Sequence, residues 1–372
     1  MGAILLAVLF LLFQNGGGRL LSIAFFKLQT PVVTYGLLDK QENLLTVLEQ
    51  SFVNHIPLYR YCMEKRTEQT SIESGLAYEL RMEGPEEAAK KEPEKEEQTV
   101  LAPAKSKGNF RKAILKKYPE RKLKSHRYLI SHFYHVDVST RLSAGRLPFR
   151  RLFYKKLTIT PSKEKPRILI YHTHAHEEYR DTKKYKKKTV VDVGDVLAKL
   201  LEKTYHIPVL HHKGVYDDNR NVAYSKALPA VEKVLKENPS IEVVIDLHRD
   251  GIGEGTRLVT KQNGKKMAKI MFFNGISYSK VLGPIEYLYN PNLAENLALS
   301  MQLGLAAETF YPGLSRGIYI KSYRYNMHLR GRNMLVEVGA QNNTYEEAKN
   351  AMEPLADLLN RVLNSGGEDI SK

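Results

Sequence analysis

Two histidines and two glutamates, each next to a run of apolar, β-favouring residues, are the side chains of this sequence best suited to chemistry. They lie in IYHTHAHEEY at 170–179, DLHRD at 246–250 and MLVEVGAQNN at 334–343. Side chains at the ends of buried strands sit where α/β sheets bind ligands. A catalytic zinc ion needs three protein ligands, an open position for water and a nearby carboxylate base. His174 and Glu177 are three residues apart where a strand gives way to a turn, a spacing that puts both on one side and suits two ligands. His248 ends a second strand and would supply the third ligand. Glu337, in a third strand, would be the general base, taking a proton from the attacking water and passing it to the leaving amine. Zinc (Zn2+) would lower the pKa of that water toward ~7 and polarise the carbonyl.

Each residue alone has a plainer reading. His172, His174 and His176 alternate, as histidines decorating a strand end would. Glu177 could be a helix N-terminal charge complementing the dipole, and His248 a hydrogen-bonded core residue. Glu337 is harder to set aside, because a carboxylate flanked by MLV and VG is costly to bury without a partner. Four zinc-compatible groups at strand ends together favour the metal reading. Around them, Arg249 and Asp250 could bind a substrate carboxylate or orient a ligand, and Asp246, two residues before His248, points to the same sheet face. His172 belongs with these supporting candidates. His211, His212 and Asp217 follow another strand and suit loop or supporting roles. The KKYKKK run at 183–188 reads as a solvated face or a contact for an anionic polymer, and no GxSxG elbow supports a serine hydrolase.

The elements that must position these groups follow from periodicity. Strand RILIY at 167–171 leads to a helix near 190–203, strand IPVLHH at 207–212 to a helix near 223–237, and strand EVVIDLH spans 242–248. KIMFFNG at 269–275, GIYIKSY and NMLVEVG are further strands, with helices at 291–310 and 344–363. Strands alternating with helices predict an α/β fold with a mostly parallel sheet flanked by helices on both faces.

The 372 residues exceed the needs of one compact core. The first apolar run, 3–13, is shorter than the roughly 20 residues of a membrane span. With LLSIAFF at 20–26 it could span as an anchor, and a signal peptide or a buried helix are the alternatives. Residues 1–26 are assigned as a membrane anchor, 27–82 as an N-terminal region with an amphipathic helix through Leu45, Leu48, Phe52 and Ile56, and 83–108 as a charged, Pro-containing linker. Residues 109–372 form the catalytic domain. The formal charge of +16 calls for an anionic partner: nucleic acid, a membrane surface or an anionic wall polymer. No nucleic-acid motif is present. Cys62 is the single cysteine, which excludes an internal disulfide and a cysteine zinc site.

On ILIYHTHAHEEY at 168–179, IPVLHH at 207–212, VVIDLHRDG at 243–251 and YRYNMHLRGRNMLVEVGAQNNTYEEA at 323–348, with the apolar N-terminus, the chain resembles the stage II sporulation protein P family. That family is similar in fold to zinc-dependent N-acetylmuramoyl-L-alanine amidases, in which two histidines at strand ends and a glutamate in a late strand match His174, His248 and Glu337, with Asn343 near the last. Related amidases draw their glutamate ligand from further downstream, whereas Glu177 is the candidate here. The resemblance implies a peptidoglycan hydrolase that cuts the bond between the muramoyl lactyl group and L-alanine in septal wall during engulfment. It further implies a single-pass cell-membrane location with an extracytoplasmic catalytic domain, and partners that include a lytic transglycosylase and a membrane scaffold protein. The rival expectations are an endopeptidase cutting stem-peptide crosslinks and a non-catalytic wall-binding scaffold.

Overall fold

The protein is described by a computed structural model over residues 109–182, 188–253 and 256–364. Three short helices open the described chain: α1 (Phe110–Lys117), α2 (Glu120–Leu123) and α3 (His126–Phe133). Then come β1 (Tyr134–Val136), α4 (Phe149–Phe153), β2 (Ile168–Tyr171), α5 (Val190–Tyr205), β3 (Val209–His211), α6 (Ala223–Glu237) and β4 (Val243–Asp250). A hairpin of β5 (Val259–Gln262) and β6 (Lys265–Ala268) precedes β7 (Ile270–Gly275), and a two-residue pair, β8 (Tyr278–Ser279) with β9 (Gly283–Pro284), follows it. The chain closes with α7 (Leu293–Phe310), β10 (Ser315–Lys321), β11 (Arg332–Ala340) and α8 (Tyr345–Leu363).

The main sheet has the order β1–β10–β7–β11–β4–β2–β3. Every neighbouring pair is parallel except β7 with β11. The expected mostly parallel sheet is therefore present, with two parallel blocks running in opposite senses and joined at β7–β11.

Alternation along the strands divides the two faces. Ile168 and Ile170 of β2, Val243, Ile245 and Leu247 of β4, and Met334, Val336 and Val338 of β11 pack with α5, α7 and α8 in the larger core. Leu169, Tyr171 and Val244 face the other way, against Ala227, Val231 and Leu235 of α6. Beside α6, the segment between β10 and β11 covers the same face, with Tyr325 and Met327 packed on Phe273, Leu335 and Tyr224. That second face carries Asp246, His248 and Glu337, by the same period of two.

Helix ends are written in the sequence. Thr189 with Asp192 and Thr344 with Glu347 form capping boxes at α5 and α8, satisfying backbone N–H groups that the first turn leaves open. Asn263 and Gly264, both at positive φ, make the β5–β6 turn, as an Asn-Gly pair favours.

The expected single-pass membrane location is corrected. Among the described residues no helix is long and apolar enough to cross a membrane. The longest run of buried residues, Asn296–Ala307 in α7, belongs to the protein core: Asn296, Ser300 and Gln302 are satisfied by hydrogen bonds to Gly331, Asn274 and Leu152. The regions assigned at 1–26, 27–82 and 83–108 lie outside the described residues.

Candidate active site

β2 ends at Tyr171, and residues 173–176 turn away from the sheet. The Glu177 amide donates to the His174 carbonyl at 3.4 Å, closing a turn that puts both side chains on one side. The turn is held to β4 by Asp246, which accepts from the Thr173 amide at 2.9 Å and the Thr173 hydroxyl at 2.6 Å. From its other end the Val190 amide donates to the Glu177 carbonyl at 3.0 Å, tying the segment to the start of α5.

Four candidates from three chain segments are buried and assembled at this point. His174, Glu177, His248 and Glu337 have relative exposures of 4%, 2%, 3% and 1%. The rings of His174 and His248 meet edge to face, 5.3 Å between centroids. His248 Nδ1 lies 3.4 Å from Glu177 Oε2, and its Nε2 lies 2.7 Å from Asp246 Oδ1. Glu337 is the register partner of His248 across the parallel β11–β4 pair, so the two share a face. His174 Nδ1 is buried with no hydrogen-bond partner. As the side chains stand, no group of three or more His, Cys, Asp or Glu among the described residues has the arrangement of a metal site.

The charges are set by neighbours. Burial keeps His174 neutral, with its pKa lowered to about 3. Burial also opposes charge on His248, but Asp246 and Glu177 overcome it and push the pKa up to about 10. Burial of Glu177 is likewise outweighed, chiefly by His248 and then Arg249, so its carboxyl is held well below the usual range.

Sequence reasoning did not single out Arg220 or Tyr224. Arg220 Nη2 donates to Glu177 Oε1 at 2.7 Å, and the Arg249 amide donates to Glu177 Oε2 at 2.9 Å. Tyr224 stands edge-on to His174, 5.8 Å between centroids. Arg220 lies in a loop reading YDDNRN, with no strand end or periodicity to mark it. The same loop supplies Asp217, which accepts from the His176 amide at 3.1 Å and pairs with its ring at 2.9 Å. His176 itself is largely exposed.

The remaining candidates lie further off. The Arg249 guanidinium donates to the Glu178 carbonyl at 3.1 Å. Asp250 accepts from Arg316 at 2.6 Å. His172 and His211 meet on the opposite face of the sheet, under α5. Asn343 accepts from the Ala340 amide and donates to the Leu258 carbonyl and Glu347, bracing the loop after β11. His212 contacts Tyr216. Residues 183–187 of the basic run lie outside the described residues.

A model of the family described as Stage II sporulation protein P (SpoIIP) matches residues 47–360. Stage II sporulation protein P of Bacillus subtilis (strain 168) is 28% identical over 222 residues, which is 54% of this chain and 51% of that protein. The chain thus spans about half the length of the curated relative it matches. Among solved structures, N-acetylmuramoyl-L-alanine amidase AmiC2 of Nostoc punctiforme is 11% identical, with 53% of this chain and 97% of that one covered and a TM-score of 0.32. An N-acetylmuramoyl-L-alanine amidase from Clostridium difficile 630 is 13% identical, with coverages of 53% and 96% and a TM-score of 0.32.

Proposed function

The chain belongs to the stage II sporulation protein P family, and from that premise and the geometry of the site we propose that it is a zinc-dependent peptidoglycan hydrolase with an amidase-like fold, an N-acetylmuramoyl-L-alanine amidase acting on septal wall during endospore engulfment. The observation that carries the reading is the pairing of Glu337 with His248 on one buried face, beside the turn that brings in His174 and Glu177.

The chemistry of the donor set, two imidazoles and a carboxylate, suits zinc. Two ligand atoms about 2.0–2.2 Å from a tetrahedral zinc lie roughly 3.3–3.6 Å apart, and His248 Nδ1 and Glu177 Oε2 are 3.4 Å apart. His174 Nδ1, buried and without a hydrogen-bond partner, is the third donor. Asp246 beside His248 Nε2 is the carboxylate that fixes the ring's orientation and leaves Nδ1 for the metal. Arg220 and the Arg249 amide hold the Glu177 carboxylate in place. Zinc bound there supplies a water that ionises near neutral pH and an electrophile for the carbonyl.

The protein's own part is positional and acid–base. Glu337 accepts a proton from the attacking water and returns it to the amine that leaves as the lactyl–alanine amide breaks. A formal charge of +16 suits an anionic wall polymer as the larger substrate. A lytic transglycosylase and a membrane scaffold protein are the proposed partners.

Digestion of purified peptidoglycan, with mass analysis of the products, tests the reading. Stem peptides released from intact glycan strands support the amidase. Uncrosslinked muropeptides that keep their stems would replace it with an endopeptidase. No release by protein that binds wall would replace it with a scaffold.

A further inference from the structure

On the face of the sheet away from Glu337, three side chains form a hydrogen-bonded chain that ends at the residue before His248. Asp195 of α5 lies 2.9 Å from His211 Nδ1, His211 Nε2 lies 2.8 Å from His172 Nε2, and His172 Nδ1 lies 2.7 Å from the Leu247 carbonyl. Asp195 is half exposed, the His211 side chain is 7% exposed and His172 is fully buried. The site proposed above uses none of the three.

The hydrogens can be assigned from the partners. A carbonyl only accepts, so His172 Nδ1 donates to Leu247 and its Nε2 carries a lone pair. Full burial of His172 favours the neutral ring. His211 must then donate to His172 from Nε2. The Asp195 carboxylate only accepts, so His211 donates to it from Nδ1. Donating from both nitrogens at once requires a protonated His211 ring, for which Asp195 is the counter-charge; burial lowers the His211 pKa and Asp195 opposes that pull.

The chain falls where the backbone ladder stops. The last register pair of β2 and β4 is Tyr171 with Asp246. Beyond it, side-chain bonds keep the strands joined: the Thr173 amide and hydroxyl donate to Asp246, and His172 donates to the Leu247 carbonyl. The backbone at 172–177 is thereby free to turn while remaining fixed to β4. Gly194 makes room for the meeting of the rings. A Cβ there would come 2.7 Å from His211 Nε2 and 2.9 Å from His172 Nε2. Glycine inside a helix is unfavourable, and in α5 it is matched by this close approach.

We propose that Asp195, His211 and His172 are positioning residues, a relay behind the sheet that sets the spacing of His174, Glu177 and His248 through the Leu247–His248 peptide and the start of the 172–177 turn. The proposal rests on the zinc reading of the site. His172 and His211 touch no ligand directly, and their effect passes through the backbone.

The full-length protein, with Co2+ as a spectroscopic probe, tests this. His211→Leu should weaken Co2+ binding roughly 10-fold, at the lower end of the effect of supporting partners at metal sites, and change the visible absorption of bound Co2+. His211→Gln, whose amide can still donate to His172, should recover most of the affinity and the wild-type spectrum. Asp195→Ala, at a half-exposed position that leaves the core untouched, should move both readouts in the same direction by less. Amide exchange supplies a second arm that needs no metal: His211→Leu should speed exchange at 172–178 and 246–250 and leave β7 and β10 unchanged. Wild-type Co2+ affinity, spectrum and exchange in His211→Leu would overturn the relay. If the wild-type protein takes up no Co2+, the zinc reading fails, and the exchange arm alone still decides whether the relay holds the turn.

Discussion

Glu337 of β11 stands in register beside His248 of β4, and the parallel pairing puts both on the sheet face that α6 and the β10–β11 segment cover. In the proposed site, a strand position beside His248 would hold the carboxylate at a fixed distance from the attacking water without a flexible loop. Glu337→Gln keeps the shape of the side chain and removes the proton acceptor. The variant should fold, bind zinc and bind wall, while turnover falls by roughly 10²–10⁴-fold, the usual worth of general acid–base catalysis. Muropeptide release and zinc content measured on one preparation check it, and release at the wild-type rate would remove Glu337 from the role.

The ligand assignment makes a separate prediction. Three protein donors and a water complete a tetrahedral site, so the purified protein should carry about one zinc per chain. His174→Ala and His248→Ala should each lose most of it. Asp246→Asn should retain the metal with affinity reduced about 10–100-fold, because in the proposed site the carboxylate beside His248 Nε2 would orient the ring without ligating. Elemental analysis with chelator competition separates these outcomes. Full zinc retention in both alanine variants would show that the donors lie elsewhere.

Acid stability should depend on Asp137, far from the site. It is buried after β1 and accepts from the Ser139 hydroxyl at 2.5 Å, the Ser139 amide at 2.9 Å and the Tyr319 hydroxyl at 2.7 Å, with Lys321 at 3.7 Å. Burial alone would raise its pKa. Ser139 and Lys321 outweigh burial and hold the carboxyl below its ordinary value of 3.8. A carboxylate whose pKa is depressed by folding contributes stability that is present above the unfolded value and lost as pH falls through the folded one. Asp137→Asn should therefore lower the melting temperature at pH 7, and the gap from wild type should shrink as pH falls below about 4. A gap that stays constant with pH would mean that only packing was changed.

Much of this arrangement was legible in the sequence because strands end abruptly in polar residues. IYHTH, DLHRD and LVEVG each mark a strand and the group it carries, and the helix expected near 223–237 runs from Ala223 to Glu237. The reversal between β7 and β11 was not legible. Both are buried strands rich in apolar residues, and such a strand reads the same in either direction. Arg220 was hidden for a different reason: its role depends on a loop folding back onto Glu177, a contact 43 residues apart in the chain with no local signature. The two-sided division of the histidines, with His174 and His176 in the turn and His172 under α5, follows from where the ladder stops at Tyr171. Sequence alternation alone does not mark that point.

Asn343 tests whether a residue near the site belongs to the site. Its side chain is fully buried, accepts from the Ala340 amide at 2.9 Å, and donates to the Leu258 carbonyl at 2.9 Å and Glu347 Oε2 at 3.0 Å. Those bonds use its acceptor and its amide hydrogens on protein groups, so Asn343 braces β11 against α8 and the segment before β5. Asn343→Ala would take the side-chain acceptor from the Ala340 amide, at a cost of about 1–3 kcal/mol, while the Leu258 carbonyl keeps its bond from the Lys269 amide. At roughly 2–4 °C per kcal/mol for a domain of this size, the melting temperature should fall by several degrees. Zinc content and the KM for wall fragments should stay near wild type, because the side chain has no hydrogen left to offer a ligand. A raised KM at an unchanged melting temperature would instead make Asn343 a substrate contact.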